Sequence, residues 1–254
     1  MLIALTRAVS PTLTRCELTH LPREPIDLSL AVRQHQRYER ALEELGCQVR
    51  RLSPEPDLPD AVFVEDTAIV LDECAVMARP GAASRRPETT SVVAGLCQYR
   101  SLHPIEPPGT LDGGDVLRAS RHIYVGLSSR TNEDGARQLD DLLAPMGYTV
   151  ERVAVRGCLH LKSAVTTLSD DELLLNPILV DATLFGELKW TAVHPAEPFA
   201  ANVLSVGGRV LCQASAPRTR ERMEARGYEV IAVDVSEFAK AEGGLTCCSL
   251  VFSA

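Results

Sequence analysis

The chain has 254 residues, enough for one large domain or two small ones, and its 45% hydrophobic and 24% charged content is that of an ordinary globular protein. Its formal net charge of −8 disfavours nucleic acids and anionic membranes as partners. The start of the chain lacks the basic leader of a signal peptide, and no apolar run is long enough to span a membrane. We therefore expect a cytoplasmic protein with eight reduced cysteines that binds neither nucleic acid nor membrane.

Motifs for metals and cofactors are missing from the sequence. There is no Cys-x-x-Cys and no His-Glu-x-x-His pattern, so a structural zinc or a zincin site is not expected. There is also no Gly-x-Gly-x-x-Gly turn and no Walker sequence. No cofactor and no metal is therefore implied.

The chain repeats a pattern of helix, glycine and strand with a period of about 44 residues. Gly46, Gly147 and Gly227 each follow an amphipathic helical stretch and precede an alternating strand, as expected of glycines that end helices in the left-handed conformation. An Arg-x-x-Glu pattern begins at Arg85 and Arg130, 45 residues apart, and returns at Arg218 two periods later. The chain is long enough for five to six such modules.

Short strands are predicted between these helices at residues 68–71, 75–79, 123–126 and 173–175, with a hairpin at residues 202–212 around Gly207-Gly208. One module cannot bury both of its faces alone, so neighbouring modules must pack side by side. A closed ring of βα modules fits the repeat best. A doubly wound open sheet is the alternative, and the missing nucleotide-binding turn makes it less favourable.

Two acidic motifs come first among the residues that could carry chemistry. Glu65 and Asp66 are predicted to lie at the end of an apolar strand, shortly after Asp60, and the second motif runs from Asp112 to Asp115 around two glycines. Most acidic pairs lie in solvated turns. Carboxylates without metal-ligand spacing also suit an organic cation, and a guanidinium is one whose planar donors fit two carboxylates.

Two arginines occupy equivalent positions of the repeat. Arg85 and Arg130 each open a predicted helix, so a ring would place both at the same end, where Arg218 would join them. Surface positions are the alternative. Arginines on one rim would bind a carboxylate. With the acidic motifs they describe a pocket for a zwitterionic amino acid with a cationic side chain.

His160 stands between Leu159 and Leu161. This alternation predicts a strand on which the histidine faces away from the two leucines. A place in a pocket and a place in the core are equally compatible with the pattern.

Cys247 follows Gly243-Gly244 near the C-terminal end, and glycines before it allow the backbone to approach a ligand closely. Acid, histidine and cysteine together form the set that a covalent hydrolase needs. A buried structural cysteine is the common fate of a free thiol. Cys248 is the immediate rival as nucleophile. Adjacent strand residues point to opposite faces, so only one of the two cysteines can line a given pocket.

Taken in order, these motifs resemble the dimethylarginine dimethylaminohydrolases of the guanidine-modifying pentein superfamily. The resemblance covers nearly the whole chain and is carried by residues 60–66, 79–86, 109–117, 126–132, 159–162 and 243–249. It implies an α/β fold, namely a five-bladed α/β propeller of ββαβ-type modules. It also implies one catalytic domain that spans residues 1–254.

The resemblance implies hydrolysis of asymmetric dimethylarginine or monomethylarginine to citrulline and dimethylamine or methylamine. Cys247 would attack the guanidinium carbon and form a covalent S-alkylthiouronium intermediate. His160 would be the general acid for the leaving amine and later the base for water. Asp112 would orient His160, at a position where some members carry Glu.

The resemblance also implies how the substrate is held. The substrate-binding residues would be Leu18, Asp60, Phe63, Glu65, Asp66, Arg85, Arg130 and Ala241. Glu65 and Asp66 would hold the guanidinium. Asp60 and the backbone carbonyl of Leu18 would take the α-amino group, and the two arginines would take the α-carboxylate. Phe63 and the backbone around Ala241 would line the pocket, and the protein would be a monomer or homodimer without a cofactor.

Two rival functions remain at this point. An arginine deiminase uses the same fold and the same three catalytic groups on unmethylated arginine, but the deiminases carry an extra helical domain for which 254 residues leave no room. A propeller of this kind can also be a non-catalytic binding module. The joint presence of Cys247, His160 and the Glu65-Asp66 pair argues against that reading.

We expect the thiol of Cys247 to have no strongly lowered pKa before substrate binds. A bound guanidinium would favour the thiolate, whereas desolvation and the carboxylates of Glu65 and Asp66 oppose it. The segment around Leu18 is a candidate lid over the pocket.

Overall fold

The computed structural model describes residues 1–254 and contains five three-stranded sheets. Each sheet joins one antiparallel and one parallel pair of strands. The strands, in chain order, are β1 (Leu2–Thr6), β2 (Gln48–Arg51), β3 (Ala68–Val70), β4 (Cys74–Met77), β5 (Ser101–Pro104), β6 (Val116–Ala119), β7 (His122–Leu127), β8 (Thr149–Ala154), β9 (Val165–Ser169), β10 (Glu172–Leu175), β11 (Lys189–Ala192), β12 (Leu204–Val206), β13 (Arg209–Gln213), β14 (Glu229–Val233) and β15 (Leu250–Ser253).

Helices lie between the strands. They are α1 (Leu28–Glu44), α2 (Thr89–Leu96), α3 (Glu133–Leu143), α4 (Leu161–Ala164), α5 (Pro217–Glu224) and α6 (Ser236–Ala239). Parallel strands need a crossover, and α1, α2, α3 and α5 supply it in four sheets, with the 3-10 turn Ala182–Phe185 in the fifth. The repeating unit is therefore ββαβ, as predicted.

None of the helices combines the length and the apolar character that crossing a bilayer requires.

The two ends of the chain close the ring. β15 pairs antiparallel with β1, with Leu2 opposite Ser253, and the backbone amide of Ala254 donates to the carbonyl of Met1 at 2.8 Å. The last strand thus completes the sheet that the first strand began. The closed ring is confirmed, and the doubly wound open sheet is wrong.

The central strand of each sheet is almost wholly buried, and its consecutive residues face two different neighbours. In β10, Leu174 packs with Val210 of β13, whereas Leu173 packs with Tyr124 of β7. Five apolar clusters fill the spaces between neighbouring sheets in this way. Along these central strands, consecutive side chains alternate between two buried faces and not between core and solvent. The five sheets are therefore the blades of an α/β propeller.

The predicted helix-ending glycines are confirmed. Gly46, Gly147 and Gly227 have φ of +90°, +81° and +92°, a conformation that side chains with a Cβ rarely adopt. The predicted hairpin is also present, because Gly207-Gly208 connects β12 to β13 with Val206 opposite Arg209.

The predicted secondary structure is wrong at His160 and at the Glu65-Asp66 pair. His160 lies on no strand but immediately precedes the single turn α4, because Leu161 and Ala164 both pack inward, three residues apart. Glu65 and Asp66 lie in the 3-10 turn Val64–Thr67 that precedes β3, not at the end of a strand.

Arg85 and Arg130 do not open α-helices as predicted. Arg85 lies inside the 3-10 helix Ala83–Glu88 rather than at the start of an α-helix. Arg130 precedes α3, whose N-cap is Asn132, the side chain of which accepts from the amide of Gly135.

Candidate active site

Each blade has a turn directly before its first strand, and the candidate site is built from these turns. They are Val64–Thr67 before β3, Gly113–Asp115 before β6, α4 before β9, residues 201–203 before β12, and Thr246–Cys248 before β15. Because the blades repeat around a ring, equivalent turns meet at one end of its centre. Residues that are far apart in the sequence are thereby brought together.

Hydrogen bonds connect these turns around the ring. In order, Gly114 donates to Asp66 (2.9 Å), Leu161 donates to Asp115 (2.9 Å), Asn202 donates to the carbonyl of Lys162 (3.1 Å) and to Thr246 (3.0 Å), and Thr246 donates to Glu65 (2.6 Å). All these groups are buried or partly buried. The network holds the catalytic candidates in fixed positions, since buried hydrogen bonds are costly to break.

His160 is held between two carboxylates. Its Nε2 lies 3.0 Å from Oδ2 of Asp112, and its Nδ1 lies 3.7 Å from Oδ1 of Asp66. Burial lowers the pKa of the imidazole, but Asp66, Asp115 and Asp112 outweigh burial and raise the pKa to about 9. The ring is therefore charged at neutral pH and carries a proton that it can donate.

Asp66 stays ionised beside these groups. Burial raises the pKa of its carboxyl, but His160 and Arg85 outweigh burial, and the pKa falls to about 2. Arg85 Nη1 lies 2.5 Å from Oδ2 of Asp66. Asp115 differs, because burial raises the pKa of its carboxyl to about 6, and it serves as an acceptor for Leu161 and Ser128.

Cys247 and Cys248 have different surroundings. The Sγ of Cys247 accepts from the amide of Gly244 at 3.2 Å and lines a pocket shared with His160. Cys248 is 1% exposed, donates to the carbonyl of Gly244, and packs into the apolar core. The structure thus places only Cys247 beside the candidate acid.

The thiol of Cys247 is protonated in this environment. Burial, followed by the charges of Glu65 and Asp66, raises its pKa to about 12. This agrees with the expectation that the thiol is not activated before a cation binds.

Most of the predicted site residues line one pocket with Cys247. These are Asp60, Phe63, Asp66, Arg85, Arg130, His160 and Ala241. Asp112 lies behind His160, fully buried, and does not line the pocket. Gly243 lacks a Cβ where the ring of Phe63 comes closest, so the backbone can reach the pocket wall only as glycine.

Glu65 is directed away from this pocket. Its Oε1 lies 2.7 Å from Nζ of Lys162, and its Oε2 accepts from Oγ1 of Thr246. Both carboxylate oxygens therefore have partners within the protein. A role for Glu65 in holding the guanidinium stays a prediction, and its charge reaches the thiol through space.

The two arginines have unequal numbers of partners. Arg85 is 4% exposed and donates to Asp66, to Glu88 and to the carbonyl of Phe63. Arg130 is buried and donates from Nη2 to Oγ1 of Thr19 at 3.0 Å. Arg130 therefore has more free donors for a carboxylate, and both assignments stay predictions.

Residues 17–21 contribute Glu17 to the lining of the pocket, whereas Leu18 in the same segment does not line it. The amide of Glu17 donates to Asp60 at 3.0 Å, which uses part of the carboxylate predicted to bind an α-amino group. Burial raises the pKa of Asp60. The hydroxyl of Ser84 donates to the side chain of Glu17, so the segment is tied to the ring on this side.

Glu242 ties the same segment from the other side, and the sequence analysis did not identify it. Its carboxylate accepts from the amides of Thr19 (2.8 Å), His20 (2.5 Å) and Leu21 (2.6 Å). Glu242 has φ of +56°, which is uncommon for a residue with a side chain. Its position next to Gly243, five residues before Cys247, was the available signal.

Comparison with known proteins shows close relatives. No family model matches the chain. The chain is 43% identical over 249 residues to the N(G),N(G)-dimethylarginine dimethylaminohydrolase of Streptomyces coelicolor, covering 97% of this chain and 95% of that protein.

Two solved structures superimpose over almost the whole chain. A cysteine-to-serine variant of the Pseudomonas aeruginosa dimethylarginine dimethylaminohydrolase, complexed with citrulline, gives a TM-score of 0.94 at 35% identity over 98% of each chain. A histidine-to-glycine variant of a dimethylarginine dimethylaminohydrolase, as an adduct with S-methyl-L-thiocitrulline, gives 0.93 at 35% identity over 99% of this chain and 100% of that one.

Proposed function

The chain belongs to the dimethylarginine dimethylaminohydrolase family, and we propose that it hydrolyses asymmetric dimethylarginine and monomethylarginine to citrulline and dimethylamine or methylamine. The observation that carries the proposal is the single pocket lined by Cys247, His160, Asp66 and two arginines. One end of that pocket suits a guanidinium and the other suits an amino acid backbone.

The guanidinium would bind between Asp66 and the thiol. Asp66 is ionised and buried, so its attraction for a cation is weakly screened. Its Oδ2 already pairs with Arg85 and its Oδ1 with the amide of Gly114, which fixes the carboxylate in place before substrate arrives.

The substrate would itself activate the nucleophile. A thiol with a pKa of about 12 is almost wholly protonated at neutral pH. A guanidinium brought into contact with Cys247 offsets the negative charges of Glu65 and Asp66 and lowers that pKa. The thiolate would therefore form mainly in the complex, where its target carbon lies beside it.

His160 would then act as the acid. Sulfur forms a bond to the guanidinium carbon, the bond from that carbon to the methylated nitrogen breaks, and the amine leaves with a proton from His160. The neutral imidazole next takes a proton from water, which attacks the S-alkylthiouronium. Sulfur leaves as thiolate, takes the proton that remains on the oxygen to restore the thiol, and citrulline is released. Asp112 keeps the ring oriented and stabilises its charged form.

The amino acid end would be held by the remaining pocket groups. Asp60 and the backbone carbonyl of Leu18 would take the α-amino group, and Arg85 and Arg130 the α-carboxylate. Asp60 and Arg130 now bind residues 17 and 19. Substrate would thus compete for these contacts and would bind with a rearrangement of the segment.

The remaining assignments stay part of the proposal. Residues 1–254 would form one catalytic domain that works in the cytoplasm, as a monomer or homodimer, without a cofactor.

The test is citrulline formation from asymmetric dimethylarginine, monomethylarginine and arginine. We expect the methylated substrates to react with the wild type and with Cys248→Ser, and not with Cys247→Ser. Arginine as the best substrate would replace the proposal with a deiminase activity. No reaction with any substrate, or loss of activity in Cys248→Ser alone, would refute the assigned chemistry.

A further inference from the structure

A second cavity of about 350 Å³ lies beside the thiol of Cys247. Much of its wall is apolar and comprises Leu21, Leu159, Phe199, Val235, Ala239 and Leu245. Phe199 is 53% exposed and adds apolar surface to this wall. The cavity has the size and lining of a small-molecule site.

This cavity adjoins the substrate pocket and shares part of its wall with it. Leu159, Glu242, Gly243 and Cys247 line both spaces, whereas Asp60, Asp66, Arg85, Arg130 and His160 line only the pocket. A guanidinium that contacts the thiol therefore has its charged partners on one side of the sulfur and apolar wall on the other.

Gly244 lines the cavity beside the sulfur. It has no side chain, its amide donates to Sγ of Cys247, and a Cβ at this position would meet the side chain of Asn202. The missing Cβ therefore makes room for the side chain of Asn202, which also lines the cavity. A water molecule occupies about 30 Å³ of the liquid, and a methyl group is of similar size. Two methyl groups therefore fill only a small part of the 350 Å³ cavity.

We propose that this cavity binds the Nω substituent of the substrate and that the enzyme therefore also hydrolyses Nω-propyl- and Nω-butyl-arginine. The inference rests on the proposed function, and it names a wider class of substrate for the same site. The apolar wall takes the alkyl chain, while the amino acid end binds in the charged pocket as before.

The reaction balances as it does for methylarginine. Sulfur bonds to the guanidinium carbon, the bond to the alkylated nitrogen breaks, and the alkylamine leaves with the proton of His160. Water then releases citrulline and restores the thiol. The sum is Nω-alkylarginine and water giving citrulline and alkylamine, with no other reactant.

The experiment measures kcat/KM for Nω-methyl-, Nω-propyl- and Nω-butyl-arginine, with butylamine quantified as a product. We expect the value for the butyl compound to lie within about tenfold of that for the methyl compound, because added methylenes enter apolar space. In Ala239→Phe, a large ring replaces an exposed alanine of the cavity wall. The ratio of butyl to methyl kcat/KM should then fall by about tenfold.

Ala225→Phe is the matched control, because Ala225 is also an exposed alanine at a helix end and does not line the cavity. It should leave the butyl-to-methyl ratio unchanged. Hydrolysis of the methyl compound without hydrolysis of the butyl compound overturns this inference alone, as does inhibition by the butyl compound without turnover. Failure with every substrate overturns the proposed function instead.

Discussion

His160 donates from Nε2 to Oδ2 of Asp112 at 3.0 Å, although 48 residues separate them in the chain. The carboxylate is fully buried, contacts the Nε2 edge of the ring and does not line the pocket. The other ring nitrogen faces Asp66. This arrangement directs one N–H at Asp112 and leaves the proton at Nδ1 beside Asp66, which lines the pocket.

Asp112→Asn should lower the pKa of His160, because it removes one of the charges that raise that pKa to about 9. In the proposed mechanism activity needs the charged ring, so the alkaline fall of kcat/KM should move to lower pH. The value of kcat at neutral pH should also drop, by no more than the roughly 10²–10⁴-fold that an acid catalyst contributes, because Asp112 orients the acid and is not the acid itself. The pH–rate profile measures both effects. An unchanged alkaline limb would show that another group controls it.

The raised pKa of His160 also predicts how the stability of the fold changes with pH. The folded pKa of His160 lies above the ordinary value of 6.5, so its contribution is fully present below pH 6.5 and is lost as pH rises through about 9. In urea unfolding, wild type should lose stability between pH 7 and 9.5 relative to His160→Gln. Parallel curves for the two proteins over that range would contradict the assigned pKa.

Alkylation of Cys247 in the free protein should be slow and should accelerate with pH. A pKa of about 12 leaves only about one thiolate in 10⁵ at pH 7. The rate with iodoacetamide should therefore rise continuously from pH 6 to 10. Mass spectrometry identifies the labelled residue, and Cys247→Ser is the control. A plateau below pH 8 would mean that the thiol is already activated without substrate.

The repeat and the residue types of the site could be read from the sequence, because they follow local rules. Gly46, Gly147 and Gly227 end helices by a conformation that glycine adopts readily, and this pattern predicts the modules. The acidic, histidine and cysteine motifs all come directly before the first strand of a blade. A ring of repeats brings such positions together, whatever their distance along the chain.

Side-chain partners could not be read in the same way, because they depend on tertiary contacts. Lys162 pairs with Glu65 across 97 residues, and Glu242 binds Leu21 across 221. The Leu-His-Leu alternation fits a strand and the start of a helical turn equally well. Only the packing of Leu161 and the acceptor Asp115 decides between them.

Lys162→Met should destabilise the fold by about 3 kcal/mol, because it leaves the largely buried carboxylate of Glu65 without its cation. Lys189→Met is the matched control. It breaks a pair with Asp171 in which both side chains are about two thirds exposed, so it should cost under about 1 kcal/mol. Urea unfolding of the two variants measures the difference. Equal losses would show that Glu65 is solvated in the folded protein.

Glu242→Gln should raise KM for dimethylarginine by about tenfold and change kcat less. The carboxylate accepts from three successive amides of the segment that carries Leu18, and a neutral amide with one oxygen cannot replace all of these charge-assisted bonds. A loosened segment should weaken the proposed site for the α-amino group and leave Cys247 and His160 in place. The control is Glu24→Gln. Glu24 is exposed and lies three residues after Leu21, and its replacement should leave both constants unchanged. A fall in kcat at constant KM would instead place Glu242 in the chemical step, whereas equal constants for the two variants would show that the tether has no part in binding.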